Sequence, residues 1–259
     1  MSALGRNEEF YVGYHPVAPD RLARFVRRVM VGFLALAAVV GALVAIGQST
    51  LPAVKYEYGQ VRSFEGRVSE GPYPALVVGR PGRSGAAPAS SRYLLSLPGK
   101  HGAAPAVRGL EGRLIRFDGR LLFRGDQVMV EMLRETVNPK TSVVLAPAPE
   151  QVEDFGILTL RGEIIDSKCY IGIMNPGNTK PHRDCAVRCI SGGLPPMLAV
   201  RDSLGPVIHL LLVDENGAAV NQQVLGMVAE PVEITGRVTR LSDQLVLAAD
   251  PSTYRRLSH

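Results

Sequence analysis

Tryptophan is absent from this chain, and cysteine occurs only three times in 259 residues. No Gly-x-Ser-x-Gly, phosphate loop, His-Glu-x-x-His or dinucleotide-type glycine pattern occurs, so the usual hydrolytic, phosphoryl-transfer, metalloprotease and hydride-transfer routes lack their residues. There is no Cys-x-x-Cys and no Cys-x-x-Cys-His, which argues against thioredoxin-like exchange and covalent haem. Nothing supports acid–base catalysis, and the chain reads as a non-enzyme. The charge surplus is small, 29 Lys and Arg against 24 Asp and Glu. Residues 1–28 hold five arginines against Glu8, Glu9 and Asp20, and the remaining charges are interspersed. With no basic stripe interleaved with aromatics, the pattern predicts no nucleic-acid partner.

Long apolar runs are also missing, with one exception. From Val29 to Gly47 there is no charge, no Asn, no Gln and no proline. At about 1.5 Å per residue that length spans the bilayer core as a helix, placed at residues 29–49. A cleaved signal peptide has a shorter polar lead and a shorter apolar core, so an uncleaved anchor is the reading. Arg21, Arg24, Arg27 and Arg28 crowd its N-terminal flank and the other flank has no basic residue before Lys55. The positive-inside rule then keeps a tail, residues 1–28, cytoplasmic and puts the C-terminal part outside. In that tail Phe10, Tyr11 and Tyr14 suggest an extended segment against a partner or the membrane. Arginine-rich, lysine-poor composition with abundant Ala, Gly and Pro suggests a GC-rich bacterium, hence an inner-membrane protein with periplasmic domains.

Beyond the anchor, short alternating runs separated by Gly, Pro, Asp and Asn predict many short strands. "SFEGRVSEG", "PALVVGRP" and "RYLLSLPG" read as three strands, and "LEGRLIRFDGRLLFRGDQVMVEML" as strands broken at Asp118-Gly119 and at Gly125-Asp126. Residues 134–154 read as a proline-containing linker. "LTLRGEIIDSK", "PPMLAVRDS", "PVIHLLLVDENG" and "VEITGRVTRLSDQLVLAAD" repeat the grammar, again with a glycine inside the opening strand. A glycine there permits a sharp bend across a barrel. These segments resemble the small Greek-key barrel of the OB fold over residues 60–133 and 155–257, and the chain is similar to bacterial single-pass membrane-anchored proteins with OB-like exported domains. The resemblance implies a mainly β protein, one transmembrane helix followed by two OB-like barrels, and brings no functional residue with it. The alternative is a single larger β-sandwich.

Residues 166–189, "DSKCYIGIMNPGNTKPHRDCAVRC", hold all three cysteines and one of five histidines, within a loop at 166–196 that is long for a small barrel. If "HRDCAVRC" is helical, His182, Cys185 and Cys189 share one face and turn towards Cys169. Three thiolates and an imidazole complete a tetrahedral zinc shell, a structural site with no open position. In an oxidising compartment a disulfide from Cys169 to Cys185 or Cys189 competes with it, stabilising by about 3 kcal/mol. The odd third cysteine keeps thiol exchange open, with Arg183 and Arg188 near enough to favour a thiolate. Met174 and Met197 would extend the site to copper, although a methionine in such a loop more often fills core. His209, among apolar neighbours, reads as a surface or hydrogen-bonded core residue.

The function expected from these features is a membrane-anchored accessory subunit docking on an oxidoreductase or respiratory complex. The alternatives are a redox-active or metal-binding protein acting through Cys169, His182, Cys185 and Cys189, and an envelope module binding glycan or peptide.

Overall fold

A computed structural model describes residues 19–49, 54–80, 89–140, 151–201 and 207–257. Residues 1–18, which include Phe10, Tyr11 and Tyr14 of the expected tail, and the centre of the expected 134–154 linker lie outside the described residues. The chain forms two compact units, residues 1–52 and 53–259.

The first unit contains helix α1, Asp20–Ser49, with no buried residue. It is long and apolar enough to cross a membrane. It starts nine residues ahead of the expected span, because the run from Asp20 to Arg28 contains no glycine or proline to stop a helix and Asp20 adds a favourable charge in its first turn.

The second unit contains two five-stranded barrels of one topology. In the first, β1 (Arg62–Ser69), β2 (Ala75–Arg80), β3 (Ala89–Leu97), β4 (Leu114–Arg124) and β5 (Gln127–Met132) close in the order 1-2-3-5-4-1. The pairing of β3 with β5 is parallel and every other is antiparallel. In the second, β6 (Val152–Asp166), β7 (Pro196–Val200), β8 (Ile208–Val213), β9 (Pro231–Leu241) and β10 (Gln244–Ala248) repeat that order, with the parallel pair between β8 and β10. Each barrel carries a short helix between its third and fourth strands, α2 (Ala104–Val107) and, further along the chain, Asn221–Val224. This is the OB arrangement. The single-sandwich alternative is therefore set aside. Alternation along each strand fills the barrels, with Leu76, Leu95, Ile115 and Phe117 inside the first and Ile164, Leu198, Leu212 and Leu247 inside the second.

The glycine expected inside the opening strand serves a close approach: a Cβ at Gly162 would lie 2.5 Å from the carbonyl oxygen of Ala199, so only hydrogen fits where β6 lies beside β7. Asp118-Gly119 is not the hairpin its dipeptide predicted. Strand β4 runs straight through it, and a Cβ on Gly119 would lie 2.7 Å from the Glu131 carbonyl oxygen. The residue serves a close strand approach, and the turn comes instead at Gly125, whose φ is 58°.

The barrels share a buried seam. Tyr73, Leu122 and Met129 of the first meet Ile165, Tyr170 and Leu211 of the second. Tyr73 Oη donates to the Leu212 carbonyl and accepts from Val220 N–H, both at 3.0 Å. Arg124 donates to the carbonyls of Tyr170 and Met174 while its guanidinium covers the Tyr170 ring at 4.2 Å. His209 lies in this seam beside Tyr170, ring centroids 5.0 Å apart. It is buried as a core residue, but its Nε2 has no hydrogen-bond partner among the described residues, and burial lowers its pKa to about 4.

Candidate metal centre

The 166–196 loop joins the first and second strands of the second barrel. It folds as a π-helical turn, Cys169–Ile173, then a 3-10 turn, Lys180–His182, that leads into helix α3, Arg183–Ser191. The predicted helix is therefore present, and Cys185 and Cys189 occupy adjacent turns of it. Their sulfurs face Cys169, each 3.8 Å from Cys169 Sγ. The three sulfurs lie within 4.8 Å of one another. Cys169 and Cys189 are buried, Cys185 is partly exposed, and all three are free thiols. A disulfide brings sulfurs to about 2.0 Å. A zinc ion at about 2.3 Å from each sulfur of a tetrahedral set holds those sulfurs about 3.8 Å apart.

His182 does not join that triangle. Its Nε2 lies 3.0 Å from Oδ2 of Asp166, and Asp166 Oδ1 accepts the Cys169 N–H at 2.8 Å. Asp166, Cys169 and His182 thus form a second donor set, each atom within 4.8 Å of the others, that shares Cys169 with the first. The set of four expected ligands is divided into three sulfurs and one histidine held beside them by a fully buried carboxylate. Asp166 at the end of β6 reads in the sequence as a turn or cap residue. It does cap the Cys169 turn, and the same side chain fixes the histidine. Met197 is buried in the seam between the barrels and Met174 is exposed, so neither extends the site.

Lys100, in the turn after β3 of the first barrel, brings its Nζ to 2.6 Å from Cys185 Sγ and 3.7 Å from Cys189 Sγ. Its pKa is raised, chiefly by the contact with Cys185. The bond with Cys169 pulls the Cys189 thiol down, and the same contact pushes Cys169 up. Three sulfurs within 4.8 Å of one another suit a soft cation.

The neighbouring Lys168 is 2% exposed. Its three ammonium protons meet Glu131 Oε2 at 2.6 Å, the Leu97 carbonyl at 2.6 Å and the Gly99 carbonyl at 2.8 Å, all on the first barrel. Glu131 also accepts from Tyr56 Oη at 2.6 Å and from Arg120 at 3.0 Å. Burial alone would raise the Glu131 pKa, but the bonds from Lys168, Tyr56 and Arg120 outweigh it and hold the carboxyl below its usual range. Lys100, Lys168 and Glu131 carry no local sequence signal, since each acts on a partner in the other barrel.

No protein-family model and no curated protein matches the sequence. Among solved structures, a deletion mutant of the single-stranded DNA binding protein from Thermus aquaticus matches at 15% identity, covering 80% of this chain and 89% of that one with a TM-score of 0.23. The wild-type form matches at 15% identity, covering 80% and 87% with a TM-score of 0.22. The expectation that excluded nucleic acid is corrected here. Both matched proteins are named for binding single-stranded DNA. At these TM-scores the likeness assigns no ligand to this chain.

Proposed function

We propose that this chain is a membrane-tethered metal-binding protein that holds one thiophilic ion, zinc or copper(I), on Cys169, Cys185 and Cys189 between two OB-like barrels. The observation that carries the reading is the pair of 3.8 Å separations from Cys169 Sγ to the other two sulfurs. They match the edge of a sulfur tetrahedron around an ion at about 2.3 Å. Thiolate sulfur selects zinc and copper(I) over the hard cations. Helix α1 is the tether, and the arginines at its start favour a cytoplasmic N-terminus with both barrels in the periplasm.

The test is metal analysis of the full chain, purified in detergent under reductant and loaded with zinc or copper(I). The wild type retains about one equivalent, and Cys169→Ser, Cys185→Ser and Cys189→Ser each fall well below it. A reduced wild type that keeps neither metal rejects the reading.

A second reading, docking on a membrane or periplasmic oxidoreductase complex, is supported by apolar side chains exposed on the second barrel. Val152, Phe155, Ile157 and Leu158 of β6 and Ile208 of β8 are open to solvent. Co-purification of a partner with the wild type and its loss in Ile157→Glu would support docking, and identical recovery from both would reject it.

A further inference from the structure

The contact between Lys100 Nζ and Cys185 Sγ, 2.6 Å, is too short for the bond it resembles. An N–H···O hydrogen bond spans about 2.7–3.2 Å, and sulfur is a larger acceptor than oxygen, so an N–H···S bond has to be longer still. The separation is also much longer than a direct sulfur–nitrogen single bond. It corresponds to two single bonds meeting at one intervening atom the size of oxygen.

The approach is built into the fold. Lys100 sits in the turn between Leu97 and Gly102, and that turn is fastened to the cysteine loop on both sides. Lys168, next to Cys169, donates to the carbonyls of Leu97 and Gly99. Gly102 N–H donates to the Gly192 carbonyl at 2.9 Å, and a Cβ on Gly102 would lie 2.1 Å from the Gly193 oxygen. With the turn fixed against Gly192 and Gly193, at the end of α3, the lysine side chain is directed at the partly exposed sulfur of that helix. The other two sulfurs are buried, so a small oxidant reaches Cys185 first.

We propose that Lys100 and Cys185 form a covalent nitrogen–oxygen–sulfur bridge under oxidation by dioxygen, joining the first barrel to the second. The thiol S–H bond and an amine N–H bond break, and S–O and O–N bonds form. Sulfur and nitrogen each give up two electrons, and dioxygen takes all four. One oxygen atom enters the bridge and the other leaves as water, while the ammonium loses one further proton to solvent. Four equivalents of a thiol reductant return the four electrons, giving the free thiol and amine, two disulfides of the reductant and one water. The bridge stands on the Lys100–Cys185 geometry by itself. Its consequence rests on the metal reading above: a bridged Cys185 is no longer a thiolate ligand, so oxidation empties the metal site and reduction reopens it.

The test uses the full chain in detergent, split into an air-exposed and a reduced sample, each digested with trypsin and measured by mass spectrometry. Trypsin does not cut at a bridged lysine. The expected product in air is therefore residues 93–108 joined to residues 184–188, with a mass equal to their sum plus one oxygen and minus two hydrogens. It disappears on reduction and is missing from Lys100→Arg and Cys185→Ser. Air-exposed wild type that yields only unlinked peptides, or Cys185 joined to another cysteine, overturns the bridge, and no variant has to fold for that result to count. Metal content of the same two samples separates the two ideas. Loss of metal on bridging supports the switch, a bridge with unchanged metal content overturns it, and a reduced sample that binds no metal condemns the metal reading while leaving the bridge intact.

Discussion

Lys168 Nζ lies 2.6 Å from Glu131 Oε2, with their side chains 2% and 4% exposed, and the pair spans the junction between the two barrels. Every proton of the ammonium has an acceptor, and the carboxylate accepts two further bonds, so the desolvation of both charges is offset only while all partners are present. Lys168→Met leaves Glu131 buried with its main charge partner gone. The expected loss is about 3–5 kcal/mol, read by urea unfolding of the full chain in detergent. A change below about 1 kcal/mol would mean that water reaches the junction.

His209 gives the junction a pH dependence. Its folded pKa of about 4 lies below the ordinary 6.5 because burial disfavours the imidazolium; Asp126 opposes that shift, and the charges of Arg124 and Arg201 add to it. The unfolded chain therefore takes up the proton first as pH falls. The stabilisation is complete above pH 6.5 and is lost between 6.5 and 4 at about 1.4 kcal/mol per unit, roughly 3 kcal/mol in all. His209→Phe removes that slope. Unfolding midpoints of wild type and variant across the window check it, and parallel curves would contradict the assignment.

Gly162→Ala tests the close approach of β6 to β7. The new methyl would stand 2.5 Å from the Ala199 carbonyl oxygen, a backbone atom that cannot swing aside. The strands must separate, and the expected cost is about 1–3 kcal/mol by chemical denaturation. Gly59, with open space around the same position, is the control, and Gly59→Ala should leave stability nearly unchanged.

The strands were legible because most are short apolar or alternating runs ended by Gly, Pro or Asp, and the two barrels repeat one another. Asp118-Gly119 misled because a dipeptide that favours a turn also permits a close strand approach, and only the position of Glu131 decides between them. In the site, the spacing of Cys185 and Cys189 revealed a helix face. It did not reveal that His182 belongs to Asp166, since a carboxylate at a strand end has no spacing signal. Lys100 was invisible for a simpler reason. It reaches the cysteines across 85 residues of chain, and only the docking of one barrel on the other brings it there.

Asp166 supplies the last prediction. Its two oxygens have separate tasks: Oδ1 accepts the Cys169 N–H and Oδ2 holds His182 Nε2. Asp166→Asn keeps the first bond if its oxygen stays in place, which turns the amide N–H towards Nε2 and forces the histidine to carry its proton on Nδ1. The loop remains satisfied and stability falls little. Asp166→Ala strands two buried groups at about 1–3 kcal/mol each, so the alanine variant should be much the less stable of the two. Metal affinity distinguishes positioning from mere stability. If the carboxylate orients Cys169 for the ion, the asparagine variant, though folded, binds about 10–100-fold more weakly, as read by competition with a chromophoric chelator. Equal affinity in a folded Asp166→Asn would confine Asp166 to holding the loop.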